Sequence, residues 1–146
     1  MKLCSHKEVP DRLPATRIRR LFSLIVSEEA DPYWTSEINL VTTTDCRMRA
    51  LNRDYRDIDR TTDVLSFNID PPSEPGGVFG EVYISAATVR RQAREYETSF
   101  SDEYLRLFCH GMLHLFGYDH STGKEADAME RRQEHYLANL KGIDTK

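Results

Sequence analysis

The chain is short of cysteine, of long apolar runs and of excess charge of either sign. Its 146 residues hold three cysteines, Cys4, Cys46 and Cys109, an odd number with no C-x-x-C spacing. That argues against a disulfide framework or a cysteine zinc knuckle and fits a reducing compartment. The longest apolar stretch, Leu24-Ile25-Val26 with Leu21 and Phe22 before it, falls far short of the ~20 residues a membrane span needs. The N-terminal Met-Lys-Leu-Cys-Ser-His-Lys-Glu lacks the apolar segment of a secretory signal, so a cytoplasmic protein without membrane contact is expected. A formal net charge of −4 is not that of a typical nucleic-acid binder.

The charge is unevenly spread. Residues 1–60 carry 11 Lys+Arg against 10 Asp+Glu, a net +1, whereas residues 61–146 carry 9 against 14, a net −5. Arg47, Arg49, Arg53, Arg56 and Arg60 crowd one segment, and Arg90, Arg91 and Arg94 another. Such clusters can engage phosphates. For most of these arginines the simpler reading is a solvated helix face balanced by Asp54, Asp57 and Asp59.

A chain of this length is expected to form one domain with a core of its own. Ile18, Leu21, Phe22, Ile25 and Val26 fall at helical spacing within 14–28. Ile38 to Thr44 alternates as a strand, and Thr44-Asp45 then offers a cap for a helix through Met48, Leu51 and Tyr55. Val64 to Ile69 and Val78 to Ser85 read as strands around a Pro/Gly loop at 70–77. Ala86 to Tyr96 reads as a helix, Ser101-Asp-Glu as the cap of an apolar helix, and Thr122 to Leu140 as a polar helix; residues 1–9 can add a short strand. This order predicts an α+β domain with a small mixed sheet packed against helices.

The chemistry is concentrated in Phe108-Cys-His-Gly-Met-Leu-His-Leu-Phe-Gly-Tyr-Asp-His120. A step of four residues turns a helix by only about 40° beyond a full turn, so His110 and His114 share one face. Gly117 stands where a left-handed residue would end the helix and bring His120 back from the loop as a third ligand. Three protein ligands leave a fourth position open, the mark of a catalytic rather than a structural zinc. A single histidine on an apolar helix is usually a satisfied core residue. Three with a glycine stop between them are much less often accidental, and the chemistry implied is hydrolysis around one Zn²⁺ ion. Cys109 points about 100° away from His110 and reads as packing, while His6 and His135 read as surface residues.

The same spacing occurs in the metzincin pattern H-E-x-x-H-x-x-G-x-x-H, but Gly111 occupies the position of its glutamate. The general base of such a protease is missing. The expectation is a gap beside the metal that suits an anionic substrate better than a peptide.

Three segments together resemble the YbeY family of bacterial metal-dependent endoribonucleases. Leu51-Asn-Arg-Asp-Tyr-Arg56 with Thr62-Asp-Val-Leu-Ser-Phe67 is similar to the family blocks L-N-x-x-Y-R and T-D-V-L-S-F. Gly80-Glu-Val-Tyr-Ile-Ser85 resembles its G-D/E-I-x-I-S strand, and His110 to His120 matches H-G-x-L-H-L-x-G-Y-D-H. The resemblance implies a zincin-like α+β fold, zinc on His110, His114 and His120, and Arg56 as the arginine at the metal cleft. It also implies single-stranded RNA, ribosomal RNA and the small ribosomal subunit as partners, with no DNA. The role implied is rRNA processing, at the 3′ end of the small-subunit RNA, and ribosome quality control. The nucleophile stays open between water and the RNA's own 2′-hydroxyl. Asp63, Ser66 and Asp119 carry a structural reading beside a functional one. Two other functions compete: a zinc-stabilised ribosome-binding or assembly module with weak or no catalysis, and, disfavoured by Gly111, a metallopeptidase.

Overall fold

A computed structural model describes residues 1–144. Nine elements follow in order: β1 (Lys2–Lys7), α1 (Ala15–Glu29), β2 (Glu37–Thr43), α2 (Asp45–Arg56), β3 (Val64–Asn68), β4 (Val78–Ser85), α3 (Ala86–Glu95), α4 (Phe100–Leu115) and α5 (Gly123–Asp144). The strands form one mixed sheet in the order β1-β2-β4-β3. β1 and β4 run parallel to β2, while β3 lies antiparallel to β4 at an edge. The expected α+β class holds, including the short N-terminal strand.

Strand alternation divides the sheet into two unequal faces. Ile38, Leu40, Val82 and Ile84 pack with Ile18, Leu21, Phe22 and Ile25 of α1 and with the apolar side chains of α4 into the main core. On the opposite face Leu65 and Tyr83, flanked by Val41 and Phe67, form a smaller cluster with Met48 and Leu51 of α2. α4 is therefore the central helix, buried along nearly its whole length, and Thr42 and Tyr104 share a hydrogen bond of 2.6 Å beneath it. Cys109 is fully buried, and burial pushes its thiol pKa up to about 12, in keeping with packing.

Two expectations are corrected. The cap of α4 is Ser99, whose hydroxyl accepts from the Asp102 backbone N–H at 3.0 Å, rather than the segment from Ser101. Ser101 already lies in the first turn, where its side chain cannot reach forward to the free amides. Nor does Gly111 leave a gap beside the histidines. A Cβ there would lie 2.7 Å from Val82 Cγ1 and 3.1 Å from both Ser66 Oγ and Val64 Cγ2, so the missing side chain lets α4 touch the sheet. Gly80 does the same from the strand side, since its Cβ would lie 2.6 Å from Leu115 Cδ2. Across this contact Ser66 Oγ donates to the Gly111 carbonyl at 2.8 Å, and Asn68 Nδ2 donates to the Leu115 carbonyl at 3.0 Å.

Gly111→Ala is expected to destabilise the fold by about 1–3 kcal/mol, because the added methyl meets a branched side chain and a staple rather than open space. Urea unfolding measures it. Combining it with Val82→Ala should cost less than the two single losses added together, since the changes share one contact.

Candidate metal centre

α2 and β3 build one wall of a cleft of about 720 Å³, and α4 with the loop after it builds the other. α2 ends at Asp57, whose φ of 57° is left-handed, a conformation aspartate tolerates. The buried Asn52 then holds the following loop, donating from Nδ2 to the Arg60 carbonyl at 3.0 Å and accepting the Ile58 N–H at its own carbonyl at 3.2 Å. This places Arg56, Ile58 and Arg60 along the rim.

The opposite wall carries the histidines. α4 stops in a double-bonded glycine turn: Tyr118 N–H donates to the Leu113 carbonyl at 3.0 Å and Gly117 N–H to the His114 carbonyl at 3.1 Å, with Gly117 at φ +94°. The chain reverses as the glycine spacing predicts. His120 comes back toward the helix, with ring centroids 5.8 Å from His110 and 5.1 Å from His114. One nitrogen from each ring lies within 4.8 Å of the others, so the three histidines form a cluster that can hold a metal ion.

The donor chemistry fits a cation. His114 Nδ1 faces the Tyr118 carbonyl at 2.9 Å, which can only accept, so that nitrogen carries the proton. His110 Nδ1 faces Gln133 Oε1 at 3.2 Å. The Nε2 atoms of His110 and His114 are left facing each other 3.1 Å apart, two lone-pair-bearing nitrogens turned to one point. Burial, followed by the charge on His114, lowers the His110 pKa; burial, followed by the charge on His120, lowers that of His114. Both rings are held in the neutral form that ligates a metal.

The Tyr118 carbonyl is itself anchored from afar. Tyr118 OH donates to Glu29 Oε1 at 2.9 Å, and Arg132 Nε donates to Glu29 Oε2 at 2.9 Å, as does Tyr136 OH. Burial alone would raise the Glu29 pKa, but the bonds from Tyr136, Tyr118 and Arg132 outweigh it and hold the carboxylate ionised. Neither Glu29 nor Gln133 stands out as a site residue in the sequence, Gln133 being one polar position among many in the C-terminal helix. No local pattern marks them, because each acts only through a residue distant along the chain.

Among the expected site residues, Arg56 stands in the cleft and not in a surface ion pair. Its guanidinium donates to the Ser66 carbonyl at 3.1 Å and contributes to lowering the His114 pKa. The other arginines follow the simpler reading more closely: Arg49 pairs with Asp59 at 2.8 Å, Arg53 with Asp54 at 3.2 Å and Arg47 with Glu8 at 3.3 Å. Asp63 bonds the Val64 N–H and Gln92, and Asp119 bonds the His120 N–H and Ser121. Both carboxylates are thus engaged in local structure. Glu81 bonds Asn39 and Tyr83 on the α2 face of the sheet, away from the histidines. His6 is exposed, and His135 pairs with Glu28 at 3.0 Å.

The family model described as endoribonuclease YbeY matches residues 4–141. The chain belongs to the YbeY family. A relative from Allorhizobium ampelinum named endoribonuclease YbeY is 39% identical over 131 residues, covering 86% of this chain and 78% of its own. One of the same name from Heliobacterium modesticaldum is 40% identical over 134 residues, covering 84% and 80%. The solution structure of a Thermotoga maritima protein superposes with a TM-score of 0.67 at 28% identity, covering 97% of this chain and 90% of that one. The YbeY match spans both walls of the cleft, Arg56 and all three histidines.

His110→Ala, His114→Ala and His120→Ala should each lower divalent-metal binding by the purified protein, whereas His135→Ala should leave it unchanged. Gln133→Ala should give the intermediate result, weakening metal binding about tenfold in competition with a chromophoric chelator, because an unanchored ring must be ordered on binding.

Proposed function

We propose that this protein is a zinc-dependent, single-strand-specific endoribonuclease. Its proposed place is the cytoplasm, in ribosomal RNA processing at the small-subunit 3′ end and in ribosome quality control, with the small ribosomal subunit as partner. The observation that carries the reading is one cleft that joins three convergent imidazoles to a guanidinium on the facing wall. Family membership supports the reaction class.

A zinc ion on His110, His114 and His120 would supply Lewis acidity toward a phosphoryl oxygen. Arg56 would hold the nonbridging oxygens. One of its five N–H groups is spent on the Ser66 carbonyl, which fixes the plane of the fork and leaves the remaining donors for phosphate. Asp63 and Asp119, the carboxylates among the described residues that line the cleft, are held by backbone amides and so are not placed as the free general base that peptide hydrolysis by the metzincin route would require. A phosphodiester is anionic and suits a cleft whose rim carries Arg56 and Arg60.

The deciding experiment incubates zinc-loaded protein with a single-stranded RNA and with casein, each with and without chelator. Chelator-sensitive RNA cleavage with intact casein is expected. Zinc-loaded protein that leaves RNA uncut, in preparations free of other ribonucleases, would replace this reading with the zinc-stabilised assembly module.

Arg56→Ala should leave zinc content and folding unchanged and slow single-turnover cleavage by about a hundredfold, the usual cost of a lost charge-stabilising donor. Arg56→Lys should recover only part of the rate, since an ammonium keeps the charge but cannot reproduce the fork. A rate for Arg56→Ala within about twofold of wild type would remove Arg56 from the site.

A further inference from the structure

Tyr55 precedes Arg56 at the end of α2 and is 71% exposed. A tyrosine that served only to close the small core under α2 would be covered, and that core is already closed by Met48, Leu65 and Tyr83 with Leu51 and Phe67. Instead the Tyr55 ring leans on Phe67 with centroids 5.5 Å apart, and Phe67 meets Tyr83 edge-on at 5.9 Å. Phe67 also supports the neighbouring cation, with the Arg56 guanidinium carbon 5.7 Å from its ring centre. One buttressed ring therefore holds, side by side, an open aromatic and the guanidinium that reaches into the metal cleft.

The charges around this pair are selective. Arg49 and Arg53 are neutralised by Asp59 and Asp54. On the cleft side Arg56 spends one donor on a carbonyl, and the Arg60 side chain lines the cleft without an ion pair among the described residues. Open aromatic surface beside uncommitted cations matches a single strand, in which bases stack on rings and phosphates pair with guanidinium groups. A duplex keeps its base faces covered and cannot use such a ring.

Resting on the nuclease reading above, we propose that Tyr55 is a stacking platform for an unpaired RNA base adjacent to the phosphate bound by Arg56, and that it makes the cleft selective for single strands. Phe67 is its positioning residue. Tyr55 does not itself line the cleft but adjoins it through Arg56, whereas Tyr33, 89% exposed in the loop between α1 and β2, serves as the control, because neither it nor its chain neighbours line the cleft.

The test is an anisotropy titration of a labelled 2′-O-methylated single strand, verified on a gel to stay intact throughout, against the zinc-loaded chain. Tyr55→Ala should weaken binding about tenfold, the scale of one lost base stack, while Tyr55→Phe and Tyr55→Trp keep it and Tyr33→Ala has no effect. Zinc content and thermal unfolding of Tyr55→Ala should match wild type, since the ring is mostly in solvent. On an abasic strand of the same length the wild type should bind as weakly as Tyr55→Ala, and the substitution should cost nothing further. Binding by Tyr55→Ala within about twofold of wild type, or an equal loss on the abasic strand, overturns the stacking platform while leaving the nuclease reading intact. Failure of the wild type to bind any single strand defeats both.

Discussion

The close approach of α4 to the sheet is the constraint on which the site depends. Two glycines facing each other's elements, Gly111 on the helix and Gly80 on β4, remove the side chains that would hold the layers apart. Ser66 and Asn68 then reach from the edge strand to helix carbonyls that a wider spacing would leave out of range. The consequence is registration. β3 carries the carbonyl that holds Arg56, and α4 carries His110 and His114, so the distance between phosphate fork and imidazoles is set by contacts between the two elements and not by any loop. The glycine in the histidine motif is thus first a packing residue, and the absence of a protease-type carboxylate follows from the same steric demand.

The imidazole cluster is costly in isolation and sensible with a cation. The His110 and His114 rings are half-buried with their Nε2 atoms facing each other, and burial favours their neutral form, while His120 is exposed. The C-terminal end of α4 works against burial here, because its last carbonyls bring the negative end of the helix dipole close to His114 and favour a positive charge there, which a bound cation would supply. Orientation comes from outside the motif: Gln133 on α5 fixes one ring, and Glu29 on α1 fixes the tyrosine whose carbonyl fixes another. α1 and α5 therefore serve the site as well as the core.

Most of the architecture was legible from period alone. β2 alternates, α1 repeats its apolar residues at helical spacing, and Gly117 marked both the end of α4 and the return of His120. What could not be read were interactions between residues far apart in sequence. Ser99 and Ser101 are equivalent as local caps, and only where the helix begins decides between them. Gly111 looked like space beside a metal because a sequence shows the absence of a side chain but not the neighbour that requires it. Gln133 and Glu29 act across 23 and 89 residues of chain, with no spacing rule to announce them. Arg56 was singled out by resemblance; its carbonyl partner on β3 emerged only from the fold.

The edge strand supplies a last argument about substrate class. β3 pairs on one side only, and the pairing of Asp63 with Ser85 and of Ile69 with Phe79 means that Val64, Ser66 and Asn68 turn their backbone groups toward the cleft. An open antiparallel edge beside a metal would invite an extended peptide as an additional strand. Here that edge is blunted from within. The Asp63 carboxylate takes the Val64 N–H at 2.8 Å, and the Arg56 guanidinium takes the Ser66 carbonyl at 3.1 Å. A peptide would have to displace both charged groups to pair with β3, losing two charge-assisted bonds for two ordinary ones. A phosphodiester asks for neither position and is attracted by the guanidinium. The same two side chains that tie down the strand thereby weigh against a peptide and in favour of an anionic backbone.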